Sequence, residues 1–326
     1  MAIIAGLDPA TYRRHAIHGD NRRWAQTNCY TDVLIELLHS LGQEPIAALP
    51  FTLAIDFEVD QWTFFKVPHE DLYLLYGYEV QELAVWKPLA AQVAEQVAAA
   101  RPVLVELDSW LLPDTAGTAY RLAHVKSTVA VNWIDLDKQA MGYFHNEGYH
   151  EVAGADFRDL FQIDGLVHER MLPPYFEVLK RHRHLAAHKG PALVAVSLAL
   201  MKKHLERAPR SNPFTRFKKR FAEDLEWLAK AELADFHAYS FATLRQYGAC
   251  YELSETYLRW LSAHGVTGLE EAVETFAKIA QAAKTFQFQL ARAMARSKPL
   301  DLSPLDAMAA NWESGIGLLQ GQRVYA

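Results

Sequence analysis

Cys29 stands where a polar loop turns into an apolar run of helical period. Gln26-Thr27-Asn28-Cys29-Tyr30-Thr31-Asp32 leads at once into Val33-Leu34-Ile35-Glu36-Leu37-Leu38. Thr27 or Asn28 can cap the new helix by accepting its free backbone N–H groups. Cys29, Val33 and Leu37 then share one face, so the thiol ends the stripe that packs into the core. The positive end of the helix dipole favours the thiolate, the nucleophilic form of cysteine. A nucleophile of this kind needs a base within hydrogen-bond reach and a partner that orients the base. His124, at the start of an alternating run, offers the base, and Asn146, at the end of the following run, offers the partner. Both lie about eleven residues from a turn at Asp135-Leu136-Asp137-Lys138, so a hairpin is expected to bring them side by side. The Cys29 backbone N–H, with the side-chain amide of Gln26 or Asn28, is the expected oxyanion hole.

Other polar residues have more than one reading. Asp108 and Asp114 flank a loop that can line the acceptor side of a cleft and grip an amine, and Tyr120 joins them there; strand-end solubility is the plainer reading. Asp135 and Asp137 are turn residues. His184 and His188 stand four apart, a spacing that chelates metal on a helix, but no HExxH or CxxC pattern supports a metal site. Gly315-Ile316-Gly317 lacks the strand–turn–helix context of a phosphate loop. Cys250, between Ala249 and Tyr251, reads as packing.

The elements that position Cys29 and His124 follow from periodicity and breakers. The helix from Cys29 runs to about Leu41, where Gly42 offers a left-handed stop. Short strands are expected over 54–57 and 62–67, a helix from Pro68 to Gly77, extended chain over 78–85 and an alanine-rich helix over 88–100. Residues 102–107 form a dense apolar strand, 123–133 an alternating one, and 139–146 return as its hairpin partner. A short helix covers 154–161. From Pro173 onward the pattern is helical: 173–188, 192–208, 213–247, 252–264, 269–297 and 304–312, separated by Gly, Pro and Asn-Pro breakers. No internal repeat is visible.

The 326 residues are 51% hydrophobic and 22% charged, with 33 basic and 39 acidic side chains and a net charge of −6. That composition points to an ordinary globular protein and away from nucleic acid or a membrane surface. Two cysteines make no disulfide framework, and the N-terminal residues lack a basic start followed by an apolar run, so a cytoplasmic location is expected.

The order Cys29, His124, Asn146, with Glu106-Leu107-Asp108-Ser109-Trp110-Leu111-Leu112-Pro113 between, resembles the papain-like cysteine enzymes. Within them it is most similar to the N-terminal domain of butirosin-type carrier-protein-dependent acyltransferases and to bacteriocin double-glycine leader peptidases. The resemblance covers roughly residues 20–165. Arg23 stands where such peptidases carry glutamine, and Asn146-Glu147 where the leader peptidases carry Asp-Pro; both shifts suit a transferase, or an inactive relative, at least as well as a protease. The resemblance implies an α+β fold with a central helix on an antiparallel sheet over 1–168. An all-helical half over 169–326 would pack on it and complete the acceptor cleft. It further implies transfer of an acyl or aminoacyl group from the phosphopantetheine arm of a carrier protein to a small amine or hydroxyl, through an acyl-Cys29 intermediate. No tightly bound cofactor and no metal are expected. Basic runs containing Arg181, Arg183, Arg216, Lys218, Lys219 and Arg220 would dock the acidic carrier. A cysteine peptidase or amidase, and a binding protein on the same scaffold, are the alternatives.

Overall fold

Asn28 opens the first long helix as its sequence predicts. In the computed structural model, which describes residues 2–163, 165, 175–296 and 298–321, its side chain accepts from Thr31 N at 3.0 Å and caps α1 (Cys29–Ser40). Val33, Leu34, Ile35, Leu37 and Leu38 are all fully buried. The chain is α+β, with an antiparallel sheet and a mostly helical C-terminal half. It divides into two compact units: Met1–Gly19, Asn28–Pro45 and Leu72–Ala187 form the first; Asp20–Thr27, Ile46–Asp71 and His188–Ala326 form the second.

Ahead of the main sheet come the two-residue strands β1 (Phe57–Glu58) and β2 (Gln61–Trp62), paired in the second unit, and α2 (His69–Tyr76), which ends at Gly77 with φ +68°. In the first unit, β3 (Tyr78–Glu82) and α3 (Leu89–Ala98) precede β4 (Val103–Asp108), β5 (Lys126–Asp135), β6 (Ala140–His145) and β7 (Gly148–Ala153). After α4 (Ala155–Leu160), β8 (Phe176–Arg181) enters the sheet between β3 and β4, giving the order β3-β8-β4-β5-β6-β7. The helix expected over 173–188 is thus a central strand; residues 173 and 174 lie outside the described residues. Phe176, Val178 and Leu179 are buried on both faces, which removes the alternation that marks a half-exposed strand.

Side-chain alternation assigns the two faces of this sheet. Val103, Val105, Leu107, Val129, Val131 and Tyr143 point to the side where α3 and α4 complete an apolar core. As far as the bulge after Val131, the even-numbered residues of β4 and β5 point to the other side, where α1 packs on β5 and β6. There Tyr30 of α1 donates to Glu177 of β8 at 2.8 Å, and burial together with that carboxylate pushes the phenol far above its usual range.

The second unit contains α5 (Gly190–Glu206), α6 (Pro213–Leu228), α7 (Leu233–Ser240), a π-helical turn (Phe241–Arg245), α8 (Gln246–Ala263), α9 (Glu270–Arg296) and α10 (Ser303–Gly321). The sequence run 213–247 breaks in two at Ala229–Glu232, and its second part continues through the π-helical turn into α8. α8 is buried nearly all round and packs along α9, which also lines α10.

Candidate functional site

Three ranks of polar pairs cross the α1 face of β4 and β5. In the first, the Cys29 thiol, partly exposed at the first residue of α1, donates to Thr128 Oγ1 at 3.8 Å. In the second, Lys126 Nζ meets Glu106 Oε1 at 2.9 Å. In the third, His124 Nδ1 meets Asp108 Oδ2 at 2.6 Å, while the other Asp108 oxygen accepts from Trp110 N at 3.0 Å. The Trp110 ring stacks on the imidazole, centroids 4.6 Å apart and planes within 7°. His124 therefore has the two supports a general base needs, a carboxylate that fixes its tautomer and a wall that fixes its plane.

The structure brings Cys29 and His124 to one sheet face, yet the thiol's hydrogen bond goes to Thr128. His124 lies four residues from Thr128, roughly 13 Å along an extended strand. The expected partner Asn146 is not beside His124. The ladder sets Val129 opposite His145, with a bulge between Val131 and Trp133, and the chain then turns straight back into β7 with Asn146 at φ +48°. The hairpin ends before it can reach the level of His124. Asp108, on the strand before rather than the strand after, is the group that meets the imidazole; its apolar strand and its position just ahead of the loop to His124 were the available signal.

The remaining expected residues are engaged elsewhere. Asp108 bonds His124 Nδ1 at 2.6 Å. Asp114 accepts from Tyr143 Oη at 2.5 Å and bonds His145 Nδ1 at 2.5 Å. Tyr120 donates to both oxygens of Asp156, at 2.9 and 3.0 Å, beside Arg121, which pairs with the same carboxylate. The Asn28 Oδ1 is spent on the α1 cap. Gln26 belongs to the second unit, where its carbonyl accepts from Arg245 at 3.2 Å. Cys250 is buried, donates to Thr52 O at 3.6 Å, and burial pushes its thiol well above the usual range, as a packing residue requires.

The basic runs are largely consumed within the chain. Arg181 donates to the carbonyls of Gly77, His182 and Leu185. Arg216 binds Asp56 and the Phe57 carbonyl, Lys218 pairs with Asp306, and Arg220 with Asp224. Arg183 and Lys219 are exposed. Among the described residues no group of three His, Cys, Asp or Glu side chains is arranged to hold a metal ion.

Two polar networks were not anticipated as such. His18 is completely buried against α1, with Nε2 3.1 Å from Asp32 Oδ1 and Nδ1 on Glu36, whose carboxylate also accepts from Tyr12 Oη at 2.5 Å and from His15 N. Asp32 and Glu36, four apart, share one face of α1, but nothing local in the sequence announces the fold-back that sets His18 against them. The second network, Asp114–His145–Ser127, lies on the opposite sheet face.

A helix-start cysteine and a carboxylate-paired histidine on one face of an antiparallel sheet make up the candidate site of this α+β chain. The chain belongs to the DUF1839 family: the DUF1839 N-terminal domain matches residues 13–181 and the DUF1839 C-terminal domain residues 190–321. No curated protein matches it. No helix among the described residues is long and apolar enough to cross a membrane.

Proposed function

We propose that the chain is a papain-like, cysteine-dependent acyltransferase of the cytoplasm, with Cys29 as nucleophile and His124, oriented by Asp108, as general base. The observation that carries this reading is the 2.6 Å His124–Asp108 pair on the sheet face where α1 presents its first-turn thiol. Cys29 sulfur, its proton passing to His124, attacks the carbonyl carbon of a thioester on a carrier protein's phosphopantetheine arm. The carrier's C–S bond breaks, and its sulfur leaves with a proton from His124. A small amine or hydroxyl then attacks acyl-Cys29, returns a proton to His124 and expels the cysteine sulfur. The first and third ranks are separated by Lys126 and Glu106, so the step requires the segment from Asp108 to His124 to move toward the thiol when the donor binds. Exposed Leu122 and Val125 flank His124 and suit contact with the donor arm.

Incubation with an acyl-loaded carrier should add the mass of the acyl group to the intact protein, at Cys29 and not in Cys29→Ala. Absence of that adduct with a range of acylated carriers overturns the reading. One observation favours a second reading, a binding protein on the same scaffold: Thr128, not a histidine, sits against the thiol. That reading expects unexceptional thiol reactivity.

A further inference from the structure

We infer that Ser127 is a second nucleophile, served by His145 and Asp114, for hydrolysis of small apolar esters on the sheet face opposite Cys29. Ser127 Oγ lies 2.6 Å from His145 Nε2, and His145 Nδ1 lies 2.5 Å from Asp114 Oδ2. Tyr143 Oη donates to the second Asp114 oxygen at 2.5 Å. Burial raises the Asp114 carboxyl, but its interactions with His145, the nearby His150 and the Tyr143 hydroxyl outweigh it and hold the group below its usual range. An ionised Asp114 accepts from Nδ1–H. In the neutral imidazole that leaves Nε2 as the accepting nitrogen, 2.6 Å from the Ser127 hydroxyl, which donates to it. This is the proton order in which a serine is activated for attack.

Three separate elements hold the alignment. Ser127 and His145 are fixed by the β5–β6 ladder, in which Val129 faces His145. Asp114 sits in a 3-10 turn, Pro113–Thr115, clamped by the Thr115 hydroxyl donating to the carbonyls of Ser109 and Leu112 at 2.9 Å. His145 is only 1% exposed and Ser127 6%, yet the strand reaches the surface within a residue or two, Val125 being 49% exposed. The serine end of the network is thus the end nearer the surface. Leu107, the cross-strand partner of Ser127, and Leu111 and Leu112 belong to the apolar cluster on this face, which favours an apolar acyl group. In the reaction, Ser127 Oγ bonds the ester carbonyl carbon and its proton passes to Nε2. The alcohol departs with that proton, and water releases the acid through the same histidine.

Nothing here depends on Cys29, so the test uses the Cys29→Ala protein. A fluorophosphonate probe should give one adduct, mapped to Ser127 by peptide mass and absent from Ser127→Ala. Asp114→Asn, nearly isosteric, and His145→Gln should each slow labelling at least about 100-fold while circular dichroism shows a folded chain. If His145→Gln fails to fold, Asp114→Asn alone decides. No adduct at Ser127 in the folded protein, or labelling at an unchanged rate in Asp114→Asn, would identify the network as core hydrogen bonding and overturn the inference.

Discussion

His18 carries a charge that most buried histidines do not. Burial pulls its pKa down, but hydrogen bonds and charge from Asp32 and Glu36 outweigh it and set the value at about 9. The folded value lies above the unfolded one, so the stabilisation is complete below about pH 6.5 and is lost as pH rises through 9. Its size is on the order of 3 kcal/mol. Urea denaturation should show stability falling between pH 6.5 and 9, and a His18→Gln variant should lose that slope; a pH-independent difference between the two would contradict the assignment. Because Asp32 lies one turn after Cys29, this buried ion cluster also fixes the helix start that presents the thiol. Residue types were informative at this scale. Cys29 and His124 stood out in the sequence because of where they sit relative to a helix start and a strand start. Asp108 and Asp114 also stood out, but their partners did not. Which imidazole a carboxylate meets depends on strand order and face, and neither is encoded within a short stretch.

β5 and β6 show how one irregularity moves a site. The bulge between Val131 and Trp133 shifts the ladder, and Gly142 lies where the Trp133 indole and Tyr149 hydroxyl crowd the strand. A Cβ at Gly142 would collide with both, so Gly142→Ala should cost about 1–3 kcal/mol and lower the thermal midpoint measured by calorimetry. An unchanged midpoint would show that the two rings yield freely. The hairpin itself was legible, from the alternation after Val125 and the Asp135–Lys138 turn. Its register was not, because a count of residues from the turn assumes an unbroken ladder. β8 failed for a related reason: a strand buried on both faces has no period of two, and only its neighbours β3 and β4 distinguish it from a buried helix. The π-helical turn before α8 escaped notice because the apolar spacing runs through it without a Gly or Pro.

Across the whole molecule, the change from mixed to helical character near residue 190 was plain in the sequence, and the two family domains divide the chain between residues 181 and 190. What could not be read is that 20–27 and 46–71 belong with the helical unit. Those segments are tied by long-range pairs, Arg23 N and Trp24 N to Glu252, both at 2.9 Å, and Asp71 to His204 at 2.6 Å, that no local pattern announces. The same holds for the basic runs, which look like a docking surface until Asp56, Asp224 and Asp306 are found against them. Catalysis at this site turns on whether the Cys29 thiol is activated by the His124–Asp108 pair. The most direct test is the rate of Cys29 acylation by an acyl-loaded carrier protein across pH 5–9 in the wild-type protein, His124→Ala and Asp108→Asn. Activation on donor binding predicts rapid acylation near neutral pH, with a profile that loses its neutral arm in His124→Ala and is weakened in Asp108→Asn. Equal rates and identical profiles in all three proteins would contradict it.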